Sequence, residues 1–299
     1  MPRKIIYLIN PISGTKKKDQ LTQLITRKTQ ARGIDFEILP SKADGVYTNL
    51  QKKIQKEDVT DVVICGGDGT INAVVNALQG IDVNIGIIPM GSGNGLAFAA
   101  KIPKQPAAAL EIIFNNKSSF TDAFYINEKF SCMLCGIGFD ALVAHEFAKQ
   151  KTRGLQTYVR ISTLQFFKAK PYRFEIKLKD RIVKTEAYFI SVANSNQFGN
   201  NFKIAPKASM SDGLLDIVIV KKMSKINLPF AVLFQVSGNN KPEFHMDYGD
   251  KKNILYLQTD KISIRNPDHA PLHIDGDPAE TSSAFKIRVV PNCFKLLQP

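Results

Sequence analysis

The chain has 299 residues, of which 44% are apolar and 22% are charged, and its formal net charge is +13. This balance is typical of a globular chain with a sizeable core and excludes extensive disorder. No apolar run reaches the roughly 18–20 residues that span a bilayer, and the apolar stretch after the basic N-terminus is too short for a secretory signal. We therefore expect a cytoplasmic protein, and the excess of cations predicts an anionic partner.

The first part of the chain alternates apolar strand patterns with helical patterns. The predicted strands are Lys4–Asn10, Ile34–Leu39, Val62–Cys65 and Ile85–Ile88. The clearest helical face contains Ile71, Val74, Val75 and Leu78. Buried strands that alternate with amphipathic helices predict a parallel sheet with helices on its faces.

Three glycine-rich turns follow strands of this first part: Asn10–Gly14, Gly66–Thr70 and Pro89–Gly95. In an open α/β sheet, such turns meet at the carboxyl ends of the strands, where ligands bind. Glycines let backbone N–H groups approach phosphate oxygens, and a following helix N-terminus favours negative charge. Tight turns also need glycine for shape alone, but three together predict a nucleotide phosphate site.

Asp68 is the unusual member of the second turn, because a carboxylate repels phosphate unless a metal ion or a transferred proton compensates for it. Two roles are open for it, a helix N-cap and a ligand of Mg²⁺. The chain lacks GxxxxGK[ST], so the sequence is not that of a P-loop nucleoside triphosphatase.

After about residue 120, closely spaced strand patterns replace the alternation. The predicted strands are Phe120–Ile126, Phe130–Gly136, Tyr172–Lys179, Ile182–Ala193, Leu214–Val220, Ile254–Gln258, Lys261–Arg265 and Phe285–Val290. A helical region of about 141–170 interrupts them, and Lys179-Asp180 is a predicted hairpin turn. Strands at this density predict an antiparallel sandwich or barrel.

The stretch from Phe147 to Phe174 contains seven cations and no acid, with large apolar residues interleaved. A solvated helix face and a membrane-surface helix are both compatible with this pattern. Each cation near an anionic leaflet contributes about 1 kcal/mol. The pattern favours peripheral binding at the inner face of a membrane. The four histidines, by contrast, have spacings that favour surface or packing roles.

The motifs and their order resemble those of the diacylglycerol kinase catalytic family, which includes bacterial lipid kinases and sphingosine kinases. The motifs are Asn10-Pro-x-Ser-Gly14, Gly66-Gly-Asp-Gly-Thr70-Ile-Asn72, Pro89-x-Gly-Ser-Gly-Asn94, Ser211-Asp-Gly-Leu-Leu-Asp216 and Asp275-Gly-Asp277. The resemblance implies a lipid kinase that uses ATP and Mg²⁺.

It also implies two domains with the active site in the cleft between them. Residues 1–125, with about 291–299 returning, are expected to form an α/β nucleotide-binding domain similar to NAD kinases and phosphofructokinases. Residues 126–290 are expected to form an antiparallel β-sandwich that binds the lipid.

The resemblance assigns roles to individual residues. The implied nucleotide contacts are Asn10, Pro11, Ser13, Gly14, Ser41, Gly66, Gly67, Asp68, Gly69, Thr70, Asn72, Gly91, Ser92 and Asn94. Ser209, Asp212 and the carbonyl of Leu214 match a structural Mg²⁺ site. Asp140 has two open roles, as a contact to the lipid headgroup and as a helix N-cap.

Two positions depart from the family pattern. Asp277 stands where the family has a Glu, the proposed general base on the lipid hydroxyl, and its arm is shorter by roughly 1.5 Å. Either the turn compensates for this, or Asp275 or Asp68 is the base. Gly95 stands where many members have Asp, which brings the turn closer to sphingosine and ceramide kinases than to diacylglycerol kinases.

Two other functions stay open at this point. An NAD kinase-like enzyme shares the Gly66–Thr70 motif, and a sensor would bind nucleotide or lipid without turnover. A nucleic-acid partner is not expected, because no nucleic-acid-binding motif accompanies the charge. A homodimer is left open as the assembly.

Overall fold

The structure of the chain is a computed structural model that describes residues 2–11, 18–42, 45–150, 155–178, 181–197, 204–238 and 253–299. The chain divides into two compact units. The first unit comprises Met1–Thr121 and Asn292–Pro299, and the second comprises Asp122–Pro291. Two strands, β5 (Ser118–Ile126) and β15 (Ala284–Leu297), pass from one unit into the other along the chain.

The first unit alternates strands and helices. Its elements are β1 (Lys4–Ile9), α1 (Lys18–Gln30), β2 (Asp35–Pro40), α2 (Thr48–Lys56), β3 (Asp61–Gly66), α3 (Asp68–Ala77), β4 (Asn84–Pro89), α4 (Gly95–Ala99), α5 (Pro106–Asn115) and the start of β5.

The strands of this unit form a parallel sheet in the order β15-β4-β3-β1-β2, with the last residues of β15 at one edge. Every residue of β3 is buried, and so is every residue of β1 and β4 except the first. This pattern is typical of strands that are covered on both faces. Parallel strands place their carboxyl ends at one edge of a sheet. The turns after β1, β3 and β4 therefore begin at the same edge, as the sequence predicts.

The second unit is rich in strands. Its elements after β5 are β6 (Lys129–Ser131), β7 (Leu134–Gly138), α6 (Phe139–Ala148), α7 (Leu155–Lys168), β8 (Tyr172–Leu178), β9 (Arg181–Ala193), β10 (Leu215–Lys221), α8 (Leu228–Val236), β11 (Ile254–Thr259), β12 (Lys261–Arg265), β13 (Leu272–Ile274), β14 (Asp277–Ala279) and β15.

The strands of the second unit pair in the order β14-β13-β7-β9-β8-β12-β15. In addition, β10 pairs with β9 on one side and with β11 on the other. These neighbours are antiparallel. Their alternating inward residues form one apolar core that includes Phe124, Phe174, Ile190, Ile217 and Phe285. The α/β first unit and antiparallel second unit confirm the predicted fold class.

Three details differ from the predictions. The predicted strand Phe130–Gly136 is two strands, because the N–H groups of Cys132 and Met133 donate to the carboxylate of Asp275 rather than to a neighbouring strand. The helical region is two helices, and the Lys179-Asp180 turn lies outside the described residues. The last predicted strand is longer, since β15 continues to Leu297. No helix in the described part of the chain is long and apolar enough to cross a membrane.

Candidate functional site

The turns after β3 and β4 touch each other through glycines. A Cβ added to Gly91 would lie 2.6 Å from the Cα of Gly67, and one added to Gly67 would lie 3.1 Å from the Cα of Gly91. Real Cβ atoms do not approach backbone as closely as 2.6 Å, so a side chain at position 91 would push the two turns apart. The glycines of these motifs therefore bring two strand ends into backbone contact.

Polar contacts join the ends of the neighbouring strands. Asn10 Nδ2 donates to Thr70 Oγ1 at 2.8 Å, which links the end of β1 to the first turn of α3. The N–H of Ser41 donates to the carbonyl of Ile9 at 2.9 Å, and Ser41 is buried. The structure thus gathers Asn10, Ser41 and Thr70 at one sheet edge.

Asn94 shapes the third turn from inside. Its backbone is left-handed with φ 53°, its side chain is 1% exposed, and it precedes α4. The N–H of Gly91 donates to Asn94 Oδ1 at 2.8 Å, and Asn94 Nδ2 donates to the carbonyl of Gly91 at 2.7 Å. Asn94 therefore fixes the turn, whereas Ser92 is exposed.

Asp68 belongs to the second turn, and its side chain lies next to the third. It is the first residue of α3, and the N-cap is Gly67, so Asp68 does not cap this helix. Its Oδ1 accepts the N–H of Leu96 at 3.4 Å, and a Cβ on Gly93 would lie 3.0 Å from Oδ2. A carboxylate in this place is stabilised by the α3 N-terminus and lies beside the backbone of both turns.

The remaining implied nucleotide contacts lie partly inside and partly outside the described residues. Pro11 is exposed and lies two residues after the end of β1, and Gly69 and Asn72 follow Asp68 in α3. Ser13 and Gly14 lie outside the described residues.

In the second unit, the acids of the Asp275-Gly276-Asp277 motif occupy a hairpin turn. Ile274 of β13 pairs with Asp277 of β14, and the two residues between them have φ 51° and 86°. Two positive φ values in a two-residue loop are the mark of a type I′ turn, for which Asp-Gly is a preferred pair. The strands are only three residues long, too short for a periodic signal.

The two acids of this turn have different surroundings. Asp275 is buried, and its carboxylate accepts four hydrogen bonds, of 2.7 Å from Ser131 Oγ and of 3.0–3.3 Å from the N–H groups of Leu134, Met133 and Cys132. Asp277 is exposed. Asp275 thus anchors the turn, and Asp277 is the acid that an incoming molecule can reach.

Asp140 contacts His273, a residue whose spacing in the sequence predicts no site role. Both are buried, and His273 Nε2 lies 3.5 Å from Asp140 Oδ2. A Cβ on Gly136 would lie 2.0 Å from Asp140 Oδ2 and 2.4 Å from His273 Nε2, so glycine at this position makes room for the contact. The N-cap of α6 is Gly138, not Asp140.

The predicted Mg²⁺ ligands lie in the loop before β10. Ser209 Oγ accepts the N–H of Ser211 at 3.3 Å, and Asp212 Oδ1 accepts the N–H of Leu214 at 3.0 Å. Burial raises the pKa of Asp212, and the nearby carboxylate of Asp122 adds to this effect. Hydroxyl, carboxylate and carbonyl oxygens are the donors that suit Mg²⁺. Still, the described residues contain no cluster of three or more His, Cys, Asp or Glu arranged to hold a metal ion.

Two family models match the chain. The diacylglycerol kinase catalytic domain matches residues 4–126, and the YegS C-terminal NAD kinase beta sandwich-like domain matches residues 134–298. The second match shows that the antiparallel unit is of the β-sandwich kind.

Named relatives agree with these matches. The "Diacylglycerol kinase" of Bacillus subtilis is 25% identical over 92% of this chain and 89% of its own length. The "Probable lipid kinase YegS-like" of Shewanella frigidimarina is 27% identical over 100% and 95%.

A crystal structure described as a diacylglycerol kinase from Bacillus anthracis superposes with a TM-score of 0.74 at 19% identity, covering 99% of this chain and 97% of that one. At this identity the superposition shows the shared fold. With matching family models over both units and relatives along its whole length, this chain belongs to the diacylglycerol kinase catalytic family of lipid kinases.

Proposed function

We propose that this protein transfers the γ-phosphate of ATP to a hydroxyl of a membrane lipid of the diacylglycerol or sphingoid type. The observation that carries the proposal is the glycine-packed pair of turns at one sheet edge, with Asp68 beside both. The printed names of the relatives, which are lipid and diacylglycerol kinases, support the same class of reaction.

The first unit is suited to a triphosphate. Backbone N–H groups in glycine turns can approach phosphate oxygens closely, and the N-termini of α3 and α4 favour anions. Phosphoryl transfer needs mainly positioning and charge neutralisation, which these turns can provide. Asp68 would organise the Mg²⁺ that accompanies ATP, since its carboxylate would otherwise repel the phosphates.

The second unit supplies the proposed proton acceptor. Asp277 is exposed, whereas four donors engage the carboxylate of Asp275. A general base must come within hydrogen-bond reach of the alcohol whose proton it takes. Asp277 therefore fits this role better than Asp275. A second Mg²⁺, held by Asp212, Ser209 and the Leu214 carbonyl, would offset the negative charge of Asp212 and Asp122.

The second unit also offers a surface for an anionic membrane. Three large apolar side chains are at least 70% exposed: Phe167 of α7, Ile226 in the segment before α8, and Phe230 of α8. The Nζ of Lys225 donates to the carbonyl of Phe167, which holds the end of α7 against the segment before α8. Exposed apolar side chains among cations are the composition of a membrane-surface site.

The test is a phosphorylation assay with labelled ATP, run in parallel on a total lipid extract and on NAD. A labelled lipid, identified by mass spectrometry, is the expected product. Labelled NAD would instead identify a small-molecule kinase. Background ADP release across the lipid panel, with nucleotide still bound, would support a sensor and contradict the proposal.

A further inference from the structure

His273 lies beside the turn that carries Asp277, and we propose that it is a positioning residue for that acid. The inference rests on the function proposed above, in which Asp277 accepts the proton of the lipid hydroxyl. His273 is the middle residue of β13, is fully buried, and pairs across the sheet with Gly136 of β7. Its imidazole therefore cannot be explained as a solvated surface group.

The hydrogen bond at one ring nitrogen determines where the proton of the ring is. The N–H of Gly276 donates to His273 Nδ1 at 3.3 Å. A neutral imidazole that accepts at one nitrogen carries its proton on the other. The proton is therefore on Nε2, the nitrogen that lies 3.5 Å from Asp140 Oδ2.

Asp140 is held in place to receive this ring. Its Oδ1 accepts the N–H of Ala141 at 2.8 Å, and its side chain is almost fully buried. Within the described part of the chain, Oδ2 has no hydrogen bond of standard geometry. Burying a carboxylate oxygen without a donor costs free energy, and the N–H on Nε2 is the donor placed to offset it.

The contact between Asp140 and His273 requires glycine at position 136. Any Cβ at that position would collide with both Asp140 Oδ2 and His273 Nε2. The strand that pairs with His273 thus leaves open the space in which the carboxylate and the imidazole meet.

The contacts connect the first turn of α6 to the turn of Asp277. Gly276 precedes Asp277 directly and has φ 86°. Holding its N–H fixes the path on which the chain enters β14, and with it the position of the Asp277 carboxylate. Because a displacement of about 1 Å at a catalytic group can cost about 100-fold in rate, this support matters for turnover.

The kinetic test compares His273→Leu with His273→Asn. The Oδ1 of Asn can accept the N–H of Gly276 as Nδ1 does, whereas Leu has a similar volume and no acceptor. We expect His273→Leu to lower kcat by about 10-fold to 100-fold with KM for ATP unchanged. His273→Asn should stay within about 3-fold of the parent. In an Asp277→Asn background, His273→Leu should cause no further loss.

A second measurement does not depend on turnover. Nitrogen-15 NMR reports the tautomer of His273, and amide hydrogen exchange reports the protection of Gly276. We expect the Nε2–H tautomer, and protection of Gly276 in the parent and in His273→Asn but not in His273→Leu.

Unchanged protection of Gly276 in His273→Leu would overturn the proposed contact. An equal loss of kcat from His273→Leu with and without Asp277 would overturn its link to the acid. Wild-type protein that phosphorylates no lipid, yet shows the expected tautomer and exchange pattern, would contradict the proposed function and not the contact.

Discussion

At the scale of single residues, the two acids of one hairpin turn differ in what surrounds them. Asp277 is exposed, and we expect Asp277→Asn to lower kcat by about 10²-fold to 10⁴-fold, the range for loss of a general base. The affinity for ATP should not change, since the turns that we propose to bind it belong to the first unit. Steady-state kinetics together with calorimetric titration of a non-hydrolysable ATP analogue measure both quantities.

Asp275→Asn is the matched control for this substitution. The amide offers one oxygen to four donors, so the main expected effect is a loss of about 2 kcal/mol or more in the free energy of unfolding. Denaturant titration measures this loss. Full turnover in Asp277→Asn would reject Asp277 as the base.

Asp216 gives the second unit a pH-dependent stability. Burial raises its pKa from 3.8 to about 6, although Tyr256 and Gln258 donate hydrogen bonds to its carboxylate. The folded chain therefore binds this proton more tightly than the unfolded chain. The resulting stability is fully present below pH of about 4 and is lost as the pH rises through about 6.

Asp216→Asn should remove this dependence. Between pH 4 and 7.5, the free energy of unfolding of the parent should fall by up to about 3 kcal/mol relative to the variant. Denaturant titrations of both proteins at several pH values measure this difference. Parallel pH profiles for the two proteins would contradict the assignment.

At the scale of elements, the contact between the turns after β3 and β4 depends on having no side chain. In Gly91→Ala the new Cβ would meet the Cα of Gly67 at 2.6 Å, so the turns must separate. We expect ATP affinity to fall by about 10-fold to 100-fold while the fold is retained. Isothermal titration and thermal unfolding measure the two effects.

Gly67→Ala is a graded control for this contact, because its Cβ would lie at 3.1 Å rather than 2.6 Å. It should lose less affinity than Gly91→Ala. The reverse order, or no loss in either variant, would show that this contact does not shape the nucleotide site.

Strands that read as continuous apolar runs were predictable from the sequence. β3 and β4 extend one residue beyond the predicted Val62–Cys65 and Ile85–Ile88 at each end. The break in the strand at Cys132 was not predictable, because its cause is the carboxylate of Asp275 far along the chain. β13 and β14 are too short to show a period.

The candidate site also has parts that could be predicted from the sequence and parts that could not. The three turns could be predicted to converge, because parallel strands bring their carboxyl ends together. The contact of Asp140 with His273 could not, since nothing local to either residue indicates it. The one local signal was Gly136, whose missing side chain leaves the space.

At the scale of the whole molecule, seven cations of a chain with net charge +13 fall between Phe147 and Phe174. Arg160, Lys168 and Lys170 of this stretch are exposed, and Lys151 and Arg153 lie outside the described residues. We expect replacement of Arg160, Lys168 and Lys170 by Gln to weaken binding to anionic vesicles by about 100-fold, at about 1 kcal/mol per charge.

Vesicle co-sedimentation at low and high salt measures this effect. The matched control replaces three exposed lysines of the sandwich strands by Gln: Lys177, Lys261 and Lys286. It changes the net charge equally and should leave binding close to that of the parent. Equal losses of vesicle binding in both triple variants would show that net charge alone is responsible. Binding that depends on neither lipid charge nor salt would contradict the proposed membrane surface.

The long strand β15 has a consequence for how the protein is made. Its last residues, Lys295 and Leu296, pair with Asn84 and Ile85 at the edge of the first unit's sheet. β4 has two neighbours, β3 and β15. During synthesis, more than two hundred residues follow β4 before the part of β15 that pairs with it leaves the ribosome. Such distant pairing slows folding and leaves a strand edge open to wrong partners. A chain truncated before Asn292 would keep all three glycine-rich turns and still lack the strand that pairs with β4 at the edge of their sheet.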